Sequence, residues 1–338
     1  MNKHAKTLPK ITIIIVTLNN QRTIENCLRN IISQNYPQNK IEYLNIDGGS
    51  IDDTRKILRK YGFKIINSPI KNNAEAQRAI GLLKAKNNLI ISLDADNYLP
   101  SNNWFRQMIE PFLENPQLVH VNTLHYTYKR TDSLFNRYIA LFGAVDPVVY
   151  YIGIPDRVSF IQKKWRGGKI IKETKSYYLV EFDKRNLPTV GCNGVVYRKD
   201  LLLKFAKSKP KEFLHIDVFI DLVEKGYNQF AIVKNSVIHD TAVTLPALLK
   251  KRIRFLDDYY LQNNKKRRYL IYNSKSLISN IKLLLFIIYT ITFVKPFIDS
   301  LRGYLKIRDK AWFVHPFACW IYLYIYGRTT LTSFFRKK

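Results

Sequence analysis

Short apolar runs alternate with segments of helical periodicity along the first 125 residues. The runs are rich in β-branched residues and have the length of strands, at residues 11–17, 41–46, 63–67 and 89–93. Apolar residues also recur on one helical face, near residues 24–32, after Ser50, at 74–85 and after Pro100. This alternation predicts an α/β fold in which helices flank a mostly parallel, Rossmann-like central sheet.

The pattern changes further along the chain. Residues 127–188 contain many Tyr, Lys and Arg residues without a clear period, which is typical of a variable, substrate-facing insertion. Regular apolar spacing returns in a predicted helix at 212–225. We therefore expect a catalytic domain over residues 1–240, made of a nucleotide-binding half at 1–125 and an acceptor half at 126–240.

Residues 241–338 are basic and aromatic, and they hold two long apolar stretches at 277–294 and 311–326. Polar residues interrupt both stretches, whereas a clean transmembrane helix has about 20 apolar residues. A hairpin of two spans would also export the basic loop 295–310, which the positive-inside rule disfavours. We therefore expect helices that lie in the cytoplasmic membrane interface or re-enter it. Two true spans and an oligomer interface are the alternatives.

Composition limits the class of protein and its partners. A hydrophobic fraction of 46% with 13% aromatic residues excludes a disordered chain. The net charge of +29 attracts polyanions, whether nucleic acid, anionic lipid or phosphorylated substrates. The three cysteines are widely spaced, and we expect reduced thiols. The apolar run at 11–17 is too short for a signal sequence, so we expect the catalytic part in the cytoplasm.

Three polar residues stand at the ends of predicted parallel strands: Thr17, Asp47 and Asp94. Ligands bind at the carboxyl edge of an open α/β sheet, so these side chains are expected to converge on one crevice. Asp94 and Asp96 alternate in a turn, where both carboxylates can reach one hard cation that coordinates a diphosphate. Acidic side chains that only cap a turn can have the same spacing. The two aspartates alone therefore do not distinguish a metal site from a capped turn.

The chain resembles family 2 glycosyltransferases of the GT-A fold. The resemblance rests on four segments within the first 110 residues, at 13–19, 27–37, 46–54 and 93–97. It implies that the nucleotide sugar is bound by Thr17, Asn19, Asp47, Arg78 and Asp94. It also implies a metal ion, Mg²⁺ or Mn²⁺, held by Asp96, Asp94 and His239. Leu18 and Gly48 replace a Tyr and an Asp that are common in the family, so the resemblance does not identify the nucleotide.

The same resemblance extends into the acceptor half with fewer motifs. Asn193 and Gly194 lie in a segment like the family's glycine-containing acceptor-side strand, which implies contact with the sugar or the acceptor. A later segment falls where relatives carry a Glu-Asp pair whose Asp takes the acceptor proton. Asp217 is the expected base. His215 is the alternative, because a gapless alignment from Gly226 puts it at the position of that Asp.

The sequence therefore predicts a metal-dependent, inverting glycosyltransferase. Its expected partners are a nucleotide-diphosphate sugar, a lipid-linked or surface-glycan acceptor, and the anionic cytoplasmic face of the cell membrane. One alternative is a catalytically inactive relative that only binds a sugar nucleotide or a glycan. The other is a basic nucleic-acid-binding protein. Only the net charge favours it and no binding module is recognisable, so no nucleic acid is expected.

Overall fold

The computed structural model describes residues 7–207, 209–240, 244–257 and 267–335. By packing, these residues form two compact units. Unit 1 comprises the described residues of 1–124 and 166–240, and unit 2 those of 125–165 and 241–338. The expected domain boundary at residue 240 stays a prediction. Residues 126–165, part of the expected acceptor half, pack with the C-terminal region.

The strands confirm the expected α/β class. In chain order they are β1 Ile11–Thr17, β2 Ile41–Asp47, β3 Lys64–Asn67, β4 Leu89–Asp94, β5 Asn97–Tyr98, β6 His120–Tyr126, β7 Lys169–Glu173, β8 Tyr177–Glu181, β9 Val195–Arg198 and β10 Gln229–His239. The first four match the four predicted strands. β7 and β8 lie in the segment where no period was found. Every residue of β7 is exposed, so its sequence carries no apolar alternation.

The sheet brings the polar strand ends together. Its order is β3-β2-β1-β4-β9-β6-β10-β8-β7, with β5 paired to β10. The β3-β2-β1-β4 half is parallel, while β9 is antiparallel to β4, and β8 is antiparallel to both β10 and β7. The register sets Thr17 opposite Asp47 and Val16 opposite Asp94. Thr17, Asp47 and Asp94 thus end adjacent strands at one edge, as their positions in the sequence predict.

The helices that the apolar pattern predicts are present, together with others in segments where no helix was predicted. In chain order they are α1 Ile24–Ile32, α2 Thr54–Lys60, α3 Ala74–Lys84, α4 Trp104–Glu114, α5 Leu134–Phe142, α6 Pro147–Ile152, α7 Lys199–Phe205, α8 His215–Glu224, α9 Leu245–Leu256, α10 Leu277–Thr292, α11 Val294–Lys306 and α12 His315–Phe335. α2 begins later than a cap at Ser50 would imply. Asp52 accepts from the backbone of Thr54 (3.0 Å), whereas the Ser50 hydroxyl donates to Asp47 (2.6 Å).

The core of unit 1 fixes the position of α3. All seven residues of β1 are buried, as expected for a strand covered on both faces. α3 packs against β1 at Gly81, where an added Cβ would lie only 2.8 Å from the side chain of Ile14. Because only glycine permits this approach, Gly81 sets the distance between the helix and the sheet. The preceding turn of α3 carries Arg78, which the same packing places beside Asp94.

Unit 2 has its own core, centred on His315 at the start of α12. The ring of Phe142 stacks on His315 with 3.8 Å between centroids, and the hydroxyls of Tyr138 and Tyr151 lie 3.2 and 2.9 Å from its two nitrogens. A buried Asp146 at the start of α6 pairs with Arg252 of α9 at 2.5 Å. Residues 125–165 therefore supply one side of this core and the C-terminal helices supply the other.

α10 and α11 meet at a sharp bend. Their axes differ by 79°, and Phe293 between them has a φ of 60° in the left-handed region. Within the described ranges, no single helix has both the length and the apolar character needed to cross a bilayer. Taken together, α10 and α11 meet that standard by length and composition alone, despite the bend.

Candidate functional site

Thr17 and Asp47 meet at the carboxyl ends of β1 and β2. The Thr17 hydroxyl donates to Asp47 Oδ1 at 3.0 Å. Asp47 Oδ2 accepts from the backbone N–H groups of Gly49 (3.0 Å) and Ser50 (2.9 Å). Asp47 is only 1% exposed. In this structure its carboxylate therefore orders the turn after β2 as well as facing Thr17.

Asn19 joins the turns that follow β1 and β2. Its φ of 55° is left-handed, a conformation in which Asn is enriched. Its backbone N–H donates to the Ser50 hydroxyl, and its side-chain oxygen accepts from the backbone of Ile51, both at 2.9 Å. Gln77 of α3, which the sequence did not single out, donates to the carbonyl oxygen of Thr17 at 2.9 Å. The strand ends and α3 are thus tied together by hydrogen bonds.

Arg78 links the end of β4 to the start of α8. Its guanidinium donates to Asp94 Oδ1 and, at 2.6 Å, to Glu75 Oε1. Glu75 Oε2 in turn accepts from the backbone N–H (3.1 Å) and ring Nδ1 (2.8 Å) of His215. Glu75 was not among the predicted site residues. The signal that could have found it is its position three residues before Arg78 on one helix.

His215 is held as a cation. Nδ1 faces the Glu75 carboxylate and Nε2 lies 2.9 Å from the carbonyl oxygen of Val190, so both ring nitrogens donate. Burial alone lowers the pKa of His215, but Cys192 and Glu75 raise that pKa well above its usual value. Burial likewise opposes ionisation of Glu75, yet His215 and Arg78 hold its pKa at about 2. A protonated imidazole cannot accept a proton, which bears directly on the predicted role of His215 as a base.

We expect the stability of the protein to fall with rising pH because of His215. A pKa raised by folding stabilises the folded state fully below the unfolded-state pKa of about 6.5, and this contribution is lost as the pH rises through the folded-state pKa. The loss is up to about 1.4 kcal/mol per pH unit in that window. Urea unfolding from about pH 6 to about pH 9 should therefore show a smaller decline for His215→Gln than for the wild type.

His125→Gln is the matched control for this experiment. Burial lowers the pKa of His125, so its ring is neutral in the folded protein, and above about pH 7.5 it is neutral in the unfolded chain as well. Between about pH 7.5 and about pH 9 its replacement should therefore leave the pH dependence unchanged. Equal declines in the wild type and His215→Gln would show that His215 is not charged in the folded protein.

Asp96 and His239 face each other beyond the end of β4. His239, the last residue of β10, pairs with Asn97 of β5, and its Nε2 lies 3.7 Å from Asp96 Oδ1. The buried Asn97 side chain donates to Asp96 Oδ1 and to Asn193 Oδ1, both at 3.4 Å. The structure thus brings the predicted residues Asp96, His239 and Asn193 together around Asn97. The carboxylate of Asp94, the third predicted metal ligand, is instead bonded to Arg78.

Gly194 is required by the backbone next to Asn193. Its φ is 64°, and an added Cβ would lie 2.8 Å from the side chain of Val237 and 3.3 Å from that of Trp104. Any other residue would therefore strain the turn and clash with its neighbours. Gly194 shapes the turn that presents Asn193, and the contact of either residue with a sugar or an acceptor stays a prediction.

Asp217 and His215, the two candidate bases, lie on different sides of α8, because residues two apart on a helix do not face each other. Asp217 shares a face with Asp221, four residues further on, which pairs with Lys207 at 3.4 Å. Asp217 itself is only 2% exposed. The two residues are therefore separate candidates for the base, not one pair.

Two places in unit 1 carry side chains suited to a divalent metal. Among the residues that the structure describes, the group of three with potential ligand atoms within 4.8 Å of one another is Glu75, Cys192 and His215. Such a set is typical of ions like Zn²⁺, but binding there would replace the hydrogen bonds of Glu75 and His215 just described. Asp96 with His239 is the other place, where a carboxylate and an imidazole are 3.7 Å apart.

The fold and its polar edge define a class of protein. Parallel strands end in Thr17, Asp47 and Asp94, with a buried Arg78 beside them, at the edge of the sheet where open α/β proteins bind their ligands. The chain belongs to glycosyl transferase family 2, whose sequence model matches residues 12–201, which is 190 of the 338 residues. The family indicated by the motifs is thereby confirmed.

Individual relatives match shorter segments. The chain is 27% identical over 137 residues to glycosyltransferase AglE of Haloferax volcanii, covering 39% of this chain and 45% of that protein. It is 30% identical over 123 residues to a dolichyl N-acetyl-α-D-glucosaminyl phosphate 3-β-D-2,3-diacetamido-2,3-dideoxy-β-D-glucuronosyltransferase of Methanococcus voltae, covering 33% of this chain and 37% of that one. The matched segments thus span less than half of these relatives.

A solved structure supports the fold over nearly the whole chain. The mannosyltransferase PcManGT of Pyrobaculum calidifontis, in complex with GDP-Man and Mn²⁺, is similar with a TM-score of 0.55. The similarity covers 96% of this chain and 88% of PcManGT at 12% sequence identity. At that identity, the likeness concerns the fold alone.

Proposed function

We propose that the protein is a glycosyltransferase that transfers a sugar from a nucleotide-diphosphate sugar. The observation that carries this proposal is the shared edge of the sheet, where Thr17, Asp47 and Asp94 end adjacent strands and Arg78 pairs with Asp94. Asn19 completes the proposed donor site between the two turns. Family membership supports the proposal, as do the transferase names of the relatives.

We propose that the reaction depends on Mg²⁺ or Mn²⁺ held by Asp96 and His239, with Asp94 nearby. A carboxylate and an imidazole suit Mn²⁺, and PcManGT was solved with that ion. A bound divalent ion neutralises charge that develops on the departing nucleotide diphosphate. Arg78 would hold Asp94 in place beside it, since the ion pair fixes that carboxylate.

The proposed transfer is a single displacement with inversion. An acceptor hydroxyl oxygen forms a bond to C1 of the sugar as the bond from C1 to the diphosphate oxygen breaks, and the nucleoside diphosphate leaves with that electron pair. The hydroxyl proton passes to a protein base. We propose Asp217 for this role, with His215 as the alternative. The two donor hydrogen bonds of His215 favour Asp217.

We propose a lipid-linked or surface-glycan acceptor. The relative of Methanococcus voltae carries a dolichyl-linked sugar phosphate in its name, which supports a lipid-linked one. A catalytically inactive relative remains the rival, because the Glu-Asp pair of the family is not intact here.

A screen of sugar nucleotides tests this function. We expect one of the UDP-, GDP- or dTDP-sugars to release its nucleotide only with Mg²⁺ or Mn²⁺ present, which mass spectrometry detects. Asp217→Asn should bind that donor but not turn it over, whereas an inactive binding protein would not turn it over even as wild type. The absence of EDTA-sensitive nucleotide release from every donor would contradict the proposal.

A further inference from the structure

The surface of unit 2 exposes an unusually large amount of hydrocarbon on α10 and α11. Only Phe286 and Thr290 of the sixteen α10 residues are buried. The most exposed apolar side chains of the two helices, each more than half accessible, are Leu277, Ile278, Leu284, Ile291, Val294, Phe297 and Leu305. Contiguous apolar surface of this kind on a folded protein marks an interaction site. We refer to the exposed apolar side chains of residues 277–305 as the apolar face.

The apolar face continues onto α12 at the bend. Phe293 contacts Phe317 and Trp320, with ring centroids 6.2 and 5.9 Å apart. Beyond Trp320 an apolar groove of about 280 Å³ lies between α9 and α12, lined by Leu249, Ile253, Trp320, Ile321, Tyr324 and Ile325. One apolar surface therefore extends from α10 across the bend to this groove.

The charge around this surface has one sign. Residues 267–335 contain ten Lys or Arg and two Asp. Both Asp residues are buried and paired inside unit 2, Asp299 with Lys295 and Asp309 with Arg137. The charge left at the surface is therefore cationic, and each Lys or Arg near an anionic leaflet is attracted to it.

The bend makes a crossing unfavourable. α10 has 16 residues and is about 24 Å long at about 1.5 Å per residue, while a hydrocarbon core is about 30 Å thick. With the axes 79° apart, the two helices cannot form one straight span. Two backbone hydrogen bonds lie at the bend, from Phe293 N to Thr290 O (3.3 Å) and from Phe297 N to Phe293 O (3.0 Å). Each of them reduces the cost of placing that part of the backbone in hydrocarbon.

We propose that the apolar face, continued by Phe317 and Trp320, inserts into one leaflet of an anionic lipid membrane without crossing it. The occupant is the lipid leaflet itself, because its acyl chains match the apolar face and its headgroups match the surrounding cations. An acyl chain would fill the groove between α9 and α12. The proposal concerns unit 2 alone and stands whether or not the transfer reaction is correct.

Trp320 reports on the insertion directly. The chain has four tryptophans, and Trp104, Trp165 and Trp312 are all buried, whereas Trp320 is 39% exposed. We expect the full-length protein to float with vesicles of phosphatidylglycerol and phosphatidylcholine, and brominated acyl chains in them to quench its fluorescence. Trp320→Phe should still float but lose the quenching. Failure to float, or equal quenching in both proteins, would overturn the proposal.

A matched pair of substitutions tests the apolar face itself. Leu284 on α10 and Leu83 on α3 are equally exposed, at 57% and 58%. Leu284→Asp with Ile288→Asp should weaken vesicle binding at least about tenfold, since a charge inside the bilayer costs several kcal/mol. Leu83→Asp should bind as the wild type does, and circular dichroism checks that both variants fold. Equal binding by the double variant would contradict insertion at this face.

Two further outcomes identify other occupants. The first is a wild type that is a dimer by light scattering and does not bind vesicles, with a double variant that is a monomer. In that case the apolar face would be a contact between two copies of the chain. If wild-type protein bound to vesicles resisted extraction by alkaline carbonate, it would span the bilayer. We expect complete extraction, and either other result would overturn insertion into a single leaflet.

Discussion

Replacing Asp96 by Asn is expected to lower the metal-dependent turnover of the preferred sugar nucleotide at least about a hundredfold. Asn keeps the size of the side chain but loses the negative charge that faces His239 at 3.7 Å. A divalent ion would then have one anionic ligand fewer at the point where it meets the diphosphate. The measurement is initial nucleotide release against Mg²⁺ or Mn²⁺ concentration, in which the variant should also need more metal.

Asp240→Asn is the matched control, with the same chemical change at the same edge of the sheet. Asp240 pairs with Arg22 at 3.0 Å near the surface, and its backbone, not its carboxylate, bonds to Asp96. We expect turnover and metal requirement close to those of the wild type. Wild-type turnover in Asp96→Asn would mean that the metal, if one is needed, is held elsewhere.

Replacing Arg78 by Met is expected to have the largest effect on stability, about 3–5 kcal/mol of unfolding free energy. The Met side chain fills much of the space but leaves Glu75 and Asp94 without the cation that both now contact. Glu75 is buried, so its charge loses a partner where water cannot replace it. Urea unfolding at neutral pH measures the difference.

Arg29→Met provides the comparison at an exposed ion pair. Arg29 and Glu25 are a helical pair four residues apart, 3.2 Å between the charged atoms, with the Arg side chain largely exposed. Because solvent screens this pair, its loss should have little measurable effect on the free energy of unfolding. If Arg78→Met lowered the free energy of unfolding as little as Arg29→Met does, the ion pairs of Arg78 with Glu75 and Asp94 would not stabilise the protein.

The strands of the nucleotide-binding half could be predicted from the sequence, because each of them corresponds to a short, continuous pattern of residues. β1, β2 and β4 are short apolar runs that end in polar residues, and parallel strands must bring those ends to one edge. The positions of Thr17, Asp47 and Asp94 therefore follow from the pattern of the chain.

The links between distant segments could not be predicted in this way. Glu75 and His215 are 140 residues apart and meet only because α3 and α8 are neighbours in the fold. Asn97 likewise bonds to Asn193 across 96 residues. The spacing of apolar and polar residues along the chain contains no information on such long-range contacts. The same limit applies to the packing of residues 126–165, whose partners Arg252 and His315 lie more than a hundred residues later.

The shared core of unit 2 has a consequence for how this protein can be divided. Phe142 stacks on His315 and contacts Trp312 at 4.9 Å, so the segment between β6 and β7 and the C-terminal helices complete each other. Residues 241–338 therefore do not form an independent module that can be transferred by itself to another protein. A gene fusion or recombination event that exchanged it at residue 240 would separate halves of one hydrophobic core. A functional exchange would have to carry both segments together.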